Sequence, residues 1–317
     1  MKVRRIVAGV LLVGAAGAGL VALRPGIGLA AWRLAARLRY GARLLHVEAD
    51  GERVACLALG SGPPLVLVHG LRGESVVMLP LAARLAERGW RVIAVDLPGH
   101  GYSPEPRAPM DVGRAARIVR GVIDALGLAR PPVVGHSMGG WITAWLALES
   151  PREVGPVVLV ASAGLPFEPP SWNELLPRTT EEARRGLRLL FADPPPRVPG
   201  AILWFAAHRR LATSLDLLRS ALSGHYLLDG LLPGMAVPAL VVAGEEDRIV
   251  PLATARAMAA RLPGGRLDVV RGTGHMLVIE APGRVAEAID RFLRETASRT
   301  GTAAPRSAPA RHGSVTR

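Results

Sequence analysis

Short aliphatic runs alternate along the chain with longer segments whose apolar residues recur at helical spacing. The runs predict strands at residues 54–59, 65–68, 92–95, 133–134, 157–160, 239–243 and 267–270. The longer segments predict helices at 76–88, 112–126, 140–149, 253–261 and 284–294. This alternation is typical of an α/β fold, a mostly parallel sheet with helices on both faces. The Asp50-Gly51 turn between 44–49 and 53–59 predicts an antiparallel hairpin at one edge.

The alternation breaks between residues 163 and 235. Proline clusters there separate apolar helical pieces, and the aromatic residues of this ring-poor chain concentrate in the same region: Trp172, Phe191, Trp204, Phe205 and Tyr226. We interpret 163–235 as a helical cap over the carboxyl edge of the sheet, with most rings packing the cap onto the body and some forming an acyl-binding wall. The predicted core is then 46–162 together with 236–296.

Both chain ends differ from the body. Residues 6–23 carry no charge and follow Lys2, Arg4 and Arg5, which favours a membrane anchor, with a cleaved signal peptide as the alternative. Residues 29–45 read as a basic amphipathic helix with Trp32 at the membrane interface, so 1–45 form an anchoring unit. Basic residues flank the anchor on both sides, and the sequence leaves open which side of the membrane the body faces. Residues 297–317 are rich in small and polar residues and predict a disordered tail.

Almost all of the net charge of +13 comes from these ends. Residues 1–45 contain eight basic and no acidic residues, and 299–317 contain four arginines and no acid, which leaves 27 basic and 26 acidic residues in 46–298. A nearly neutral body lacks the positive surface that nucleic-acid binding requires, so we expect no nucleic-acid partner. The positive ends fit anionic lipid better.

Cys56 is the sole cysteine, which excludes an intramolecular disulfide.

A candidate nucleophile stands between a predicted strand and a predicted helix. The segment Gly135-His136-Ser137-Met138-Gly139 has the Gly-x-Ser-x-Gly pattern. In a strand–turn–helix context this pattern predicts a nucleophile elbow, where Ser137 projects above the sheet. The developing oxyanion needs two N–H donors, and we expect them at Met138 and, in the loop after His69-Gly70, at Leu71. His69 itself is expected to shape that loop by hydrogen bonding.

An acid and a base follow later strands. Glu245, Glu246 and Asp247 come after strand 239–243, and any of them could orient a catalytic histidine at the carboxyl edge. His275 follows strand 267–270, and a free histidine, with a pKa of ~6.5, can accept the serine proton near neutrality. His100, His136, His208 and His225 lack metal-ligand spacing, so we expect neither metal nor cofactor.

Five motifs together resemble the α/β-hydrolase superfamily over roughly residues 46–296: His69-Gly70, Asp96-Leu-Pro-Gly-His-Gly-Tyr-Ser103, Gly-His-Ser-Met-Gly-Gly140, Gly-x-x-Asp247-x-x-x-Pro and Gly274-His275. Within it the chain is similar to membrane-anchored esterases of the monoacylglycerol-lipase type. The resemblance implies an α/β-hydrolase fold and the triad Ser137, Asp247 and His275, because the family's acid stands three residues after the glycine of the fourth motif.

The expected function is hydrolysis of a small-molecule or lipid ester through an acyl-enzyme. Alternatives are another reaction on the same triad, such as amide or carbon–carbon bond hydrolysis or a perhydrolase activity, and a non-catalytic binding protein of this fold. The expected location is membrane-associated through the N-terminal segment, or secreted if that segment is cleaved.

Overall fold

A computed structural model describes residues 25–168, 175–194 and 211–300 of the 317-residue chain. Its strands are β1 (Arg43–Ala49), β2 (Glu52–Leu59), β3 (Pro64–Val68), β4 (Arg91–Asp96), β5 (Val133–His136), β6 (Val157–Val160), β7 (Ala239–Gly244) and β8 (Arg266–Val270). The seven strands predicted from the aliphatic runs, and the hairpin β1–β2, are confirmed, with β5 two residues longer at its carboxyl end.

Nine helices are described. They are α1 (Pro25–Arg39), α2 (Leu79–Ala86), α3 (Val112–Ala125), α4 (Met138–Glu149), α5 (Thr180–Leu190), α6 (Leu211–Leu222), α7 (Leu252–Arg261), α8 (Leu277–Glu280) and α9 (Pro282–Thr300). Two 3₁₀ turns, Ser75–Met78 and Leu232–Gly234, complete the described elements.

All eight strands form one sheet in the order β1-β2-β4-β3-β5-β6-β7-β8. β2 pairs antiparallel with β1 and β4, and every pairing from β4 onward is parallel. Because parallel strands end at the same edge, the loops after β3, β5, β7 and β8 gather at the carboxyl edge. The predicted α/β-hydrolase fold is confirmed.

The sheet is covered on both faces. One apolar cluster packs α3, α4 and α7 on one side, and a second packs α2 and α9 on the other. Both include fully buried strand residues, such as Val66 in the first and Leu67 in the second. Alternate residues of β3 therefore serve opposite faces, and burial on both sides explains why the strands are continuously apolar.

Three differences in helix boundaries from the prediction stand out. The predicted helix 76–88 is a 3₁₀ turn followed by α2, because Pro80 lacks the N–H that a helix interior needs. α1 ends at Arg39 rather than continuing to 45: Gly41 has φ +64°, and the amide of Ala42 donates to the carbonyl of Arg37 in a glycine-type cap. α9 extends to Thr300, so the predicted start of the tail at 297 lies within a helix.

Between β6 and β7 the described residues form α5, α6 and the second 3₁₀ turn. Trp172, Trp204 and Phe205 lie outside the described residues, as do the predicted anchor at 6–23 and the tail from 301 onward. Among the residues that the structure describes, no helix has the length and apolarity needed to cross a membrane.

Candidate active site

Ser137 occupies a strained turn between β5 and α4. Its backbone has φ 57° and ψ −121°, a conformation that costs a non-glycine residue of order 1–3 kcal/mol. The amide of Ser137 donates to the carbonyl of Val160 at 2.8 Å, and its own carbonyl accepts from Gly140 at 2.9 Å. These bonds hold the side chain at the amino end of α4, partly exposed at the carboxyl edge of the sheet.

Close backbone contacts explain the glycines of this turn. A Cβ atom added at Gly135 would lie 2.1 Å from the carbonyl oxygen of Gly139, and one added at Gly139 would lie 2.3 Å from that of Val68. Larger residues would therefore push α4 away from β3 and β5. The sharp turn predicted from the Gly-x-Ser-x-Gly pattern is present.

Three predicted side chains meet at this edge. The Oγ of Ser137 lies 2.9 Å from Nε2 of His275, and Nδ1 of His275 lies 2.9 Å from Oδ2 of Asp247. The other oxygen of Asp247 accepts the amides of Ile249 and Val250 at 2.8 and 2.9 Å. With Nδ1–H donated to the carboxylate, Nε2 presents its lone pair to the serine hydroxyl.

The two competing acids point elsewhere. Glu245 accepts the amide of Gly272 at 3.1 Å, and Glu246 forms an exposed ion pair with Arg248 at 3.7 Å. Of the three acids in this loop, Asp247 is the buried one and contacts the imidazole. This geometry supports the choice of Asp247 that the family resemblance implied.

The loop after β3 lies directly against the serine turn. A Cβ atom added at Gly70 would be 2.9 Å from the Cβ of Ser137, and the amide of Gly73 donates to the carbonyl of Gly70 at 3.0 Å, which closes a turn around Leu71. The amide of Met138 is the first N–H of α4, a group with no acceptor inside its own helix. Met138 follows Ser137 directly and Leu71 lies in the turn that packs against it, and both remain the predicted oxyanion donors.

His69 braces this turn as expected. Its Nε2 accepts the amide of Leu97 at 3.2 Å, so the proton resides on Nδ1, which donates to the carbonyl of Gly70 at 2.8 Å. The ring thus acts through one fixed neutral tautomer, joining the loop after β3 to the loop after β4.

A cluster of buried charged side chains lies beside the loop that follows β3. Asp96 accepts the amides of Ser75 and Tyr102 at 2.6 and 2.8 Å. Burial raises the pKa of Asp96 to about 6, although both amide bonds oppose the shift. Next to it, Glu74 is bound by the guanidinium of Arg33, whose Nε lies 3.1 Å from both carboxylate oxygens.

Arg33 joins α1 to the active-site loops. Its side chain is buried, and its guanidinium also lies 5.4 Å from the ring centre of Tyr102. The sequence predicts only that this residue lies within a basic amphipathic helix over 29–45. No local signal reveals its partner, because Arg33 and Glu74 are 41 residues apart.

His136 packs beside the catalytic histidine candidate. The rings of His136 and His275 are 5.0 Å apart, and Nε2 of His136 donates to the carbonyl of His275 at 2.9 Å. Burial, and secondarily the charge of His275, lower the pKa of His136 to about 3. The residue is therefore a neutral brace. Within the described part of the chain, no group of three or more His, Cys, Asp or Glu side chains could hold a metal ion.

The model of the alpha/beta hydrolase family matches residues 65–288. The chain belongs to this family. An uncharacterized protein of Mycobacterium tuberculosis is 31% identical over 276 residues, covering 78% of this chain and 80% of the relative. A pimeloyl-[acyl-carrier protein] methyl ester esterase of Stenotrophomonas maltophilia is 31% identical over 252 residues, covering 74% and 94%.

Two solved structures extend the comparison. A membrane phospholipase A described as a bacterial virulence factor is similar with a TM-score of 0.77 and 29% identity, covering 93% of this chain and 99% of that one. A meta-cleavage product hydrolase of Pseudomonas fluorescens has a TM-score of 0.72 at 21% identity, covering 80% and 98%, a likeness of fold alone. The family membership and these esterase and lipase relatives identify the chain as a hydrolase.

Proposed function

We propose that this protein is a serine carboxylic-ester hydrolase that works through an acyl-enzyme. The observation that carries the proposal is the continuous hydrogen-bonded series from Ser137 through His275 to Asp247, with both contacts at 2.9 Å. In such a series the carboxylate fixes the tautomer of the imidazole and stabilises its protonated form.

The reaction follows from this arrangement. The Oγ of Ser137 attacks the ester carbonyl while Nε2 of His275 takes its proton, and the imidazolium then protonates the departing alcohol. The amides of Leu71 and Met138 stabilise the oxyanion, each contributing about 2.7–4 kcal/mol to the lowering of the barrier. A water activated by His275 attacks the acyl-enzyme next, which releases the acid and restores the serine.

An apolar acyl group is the substrate class that the surroundings favour. Met138 and Trp141, at the start of the helix that follows Ser137, are apolar and buried in the cluster that covers this face of the sheet, and Leu71 packs against the same cluster. The acyl chain would lie beneath the cap predicted for residues 163–235. The similarity to a membrane phospholipase A supports a lipid ester.

Membrane association through the N-terminal segment is part of this proposal. Ile27, Leu34 and Leu38 recur along one face of α1 and are exposed, Leu38 to 69%. Arg37 and Arg39 end the same helix and supply charge for anionic headgroups. Only Arg24 separates the uncharged run 6–23 from α1, and both segments favour a location at the membrane.

Ester hydrolysis is tested with a chain-length series of p-nitrophenyl esters. We expect Ser137→Ala to lower turnover by at least about a thousandfold and Asp247→Ala to cause a large loss, whereas Glu246→Ala, one residue away, retains full activity. Equal losses in Asp247→Ala and Glu246→Ala would contradict the assignment of the acid. An intact, labelled serine combined with turnover of amides or diketones, but no esters, would favour the other reactions on this triad.

A further inference from the structure

The backbone on both sides of His275 is tied to the cap. The amide of Met276 donates to the carbonyl of Leu190, the last residue of α5, at 2.9 Å. The amide of Gly274 donates to Oε2 of Glu280 at 2.9 Å. His275 is thus flanked by two bonded amides, and a displacement of either bond would move the imidazole relative to Ser137.

Glu280 connects this loop to the cap with a single carboxylate. While Oε2 accepts the amide of Gly274, Oε1 accepts the amide of Ala192 at 2.8 Å. The two chains also approach closely, since a Cβ atom added at Gly274 would lie 2.7 Å from the nitrogen of Ala192 and 2.9 Å from the carbonyl carbon of Phe191. The loop that carries His275 is therefore packed against residues 190–192 in one defined position.

The acid loop contacts the same piece of the cap. Arg248 directly follows Asp247, and its Nη1 donates to the carbonyls of Arg188 and Phe191 at 2.8 and 3.4 Å. The carboxyl end of α5 consequently bridges the loops that carry Asp247 and His275. Cations suit this end of a helix, where the last carbonyls lack partners within the helix.

We propose that Glu280 is a positioning residue that aligns His275 by holding its loop to cap residues 190–192. The inference rests on the proposed hydrolase function. Removal of the carboxylate leaves two amides without their charged acceptor and frees the loop from the cap. Since a misplacement of about 1 Å in catalytic geometry can cost about 100-fold in rate, the loss falls on the chemical step rather than on substrate binding.

The test compares the full-length wild type with Glu280→Ala, Glu280→Gln and the control Glu287→Ala, which removes an exposed glutamate from the neighbouring helix α9. Two properties are measured: kcat and KM on a p-nitrophenyl ester, and hydrogen exchange of the segments 188–192 and 272–278. We expect Glu280→Ala to lower kcat by about 10–100-fold with KM changed less than about threefold, and to speed exchange in both segments. Glu280→Gln, which keeps one acceptor oxygen, should recover part of kcat, and Glu287→Ala should match the wild type.

Two results would overturn the inference. One is wild-type kcat in Glu280→Ala despite faster exchange in the two segments, and the other is unchanged exchange in both segments. Glu280→Gln provides the same readings if the alanine variant does not fold. A wild type inactive on every ester would instead refute the proposed function, and the exchange measurements would still test the bridge itself.

Discussion

Replacement of Arg33 by methionine should destabilise the protein far more than its place near the chain's beginning indicates. The guanidinium contacts both oxygens of Glu74, and the two side chains are only 11% and 8% exposed. Removing one member of a buried ion pair takes away the bonds that offset the burial of the other charge, which typically costs 3–5 kcal/mol. Asp96, a buried carboxyl beside Glu74, adds to the cost because like charges repel.

Urea unfolding of the purified chain, in the same detergent for every variant, measures this cost. We expect Arg33→Met to lower the free energy of unfolding by about 3–5 kcal/mol at pH 7. The double variant Arg33→Met with Glu74→Leu should lose much less, since an apolar pair of similar volume often replaces a buried ion pair at little cost. Arg39→Met, an exposed arginine on the same helix, should cost less than about 1 kcal/mol.

A small effect would refute the reasoning. If Arg33→Met costs less than about 1 kcal/mol, or if the double variant is as unstable as the single one, then the ion pair between Arg33 and Glu74 does not hold α1 in place. The loop that carries Leu71 would then lack the support described for it.

Two further predictions concern His136 and the outer face of α1. Because the pKa of His136 falls from the ordinary 6.5 to about 3 on folding, the unfolded state binds more protons between these values, and stability drops as the pH falls. Urea unfolding at pH 7 and pH 5 should show about 2 kcal/mol more loss in the wild type than in His136→Gln, and equal losses would contradict the neutral state of this ring. Cys56 is buried, with its pKa raised to about 12 by burial, so a fluorophore attached to Leu38→Cys labels that site selectively. Its emission should shift to the blue on reconstitution into vesicles with anionic lipid, while a label at Glu87→Cys should not respond, and equal responses would refute a lipid-facing α1.

Much of the fold could be predicted because its signals are local. Buried parallel strands such as β6, which consists of four consecutive aliphatic residues, can be recognised from their composition alone. The serine turn was visible for the same reason, since the need for glycine at 135 and 139 comes from contacts within a few residues and with the adjacent strand. Pro80 is also a local signal, because proline favours the first turn of a helix and so indicates where α2 begins. The predicted helix 76–88 does not take this proline into account.

The remaining features depend on partners that only folding brings together. Arg33 looked like one more basic residue of an amphipathic helix, yet it is buried against Glu74. Glu280 belongs to no recognisable sequence motif. Its proposed role comes from the amides of residues 192 and 274, which lie on different loops and donate to its carboxylate. Hydrophobic periodicity identifies elements, but it does not indicate which polar side chain will bridge two of them.

The central claim is that Ser137 is the nucleophile and His275 its base, and covalent labelling tests it most directly. The full-length protein is treated with a fluorophosphonate and digested, and the adduct is located by mass spectrometry. We expect one adduct, on the peptide that contains Ser137, absent in Ser137→Ala and formed at least about a hundredfold more slowly in His275→Gln. An adduct on another residue, or ester turnover that survives in Ser137→Ala, would contradict the account.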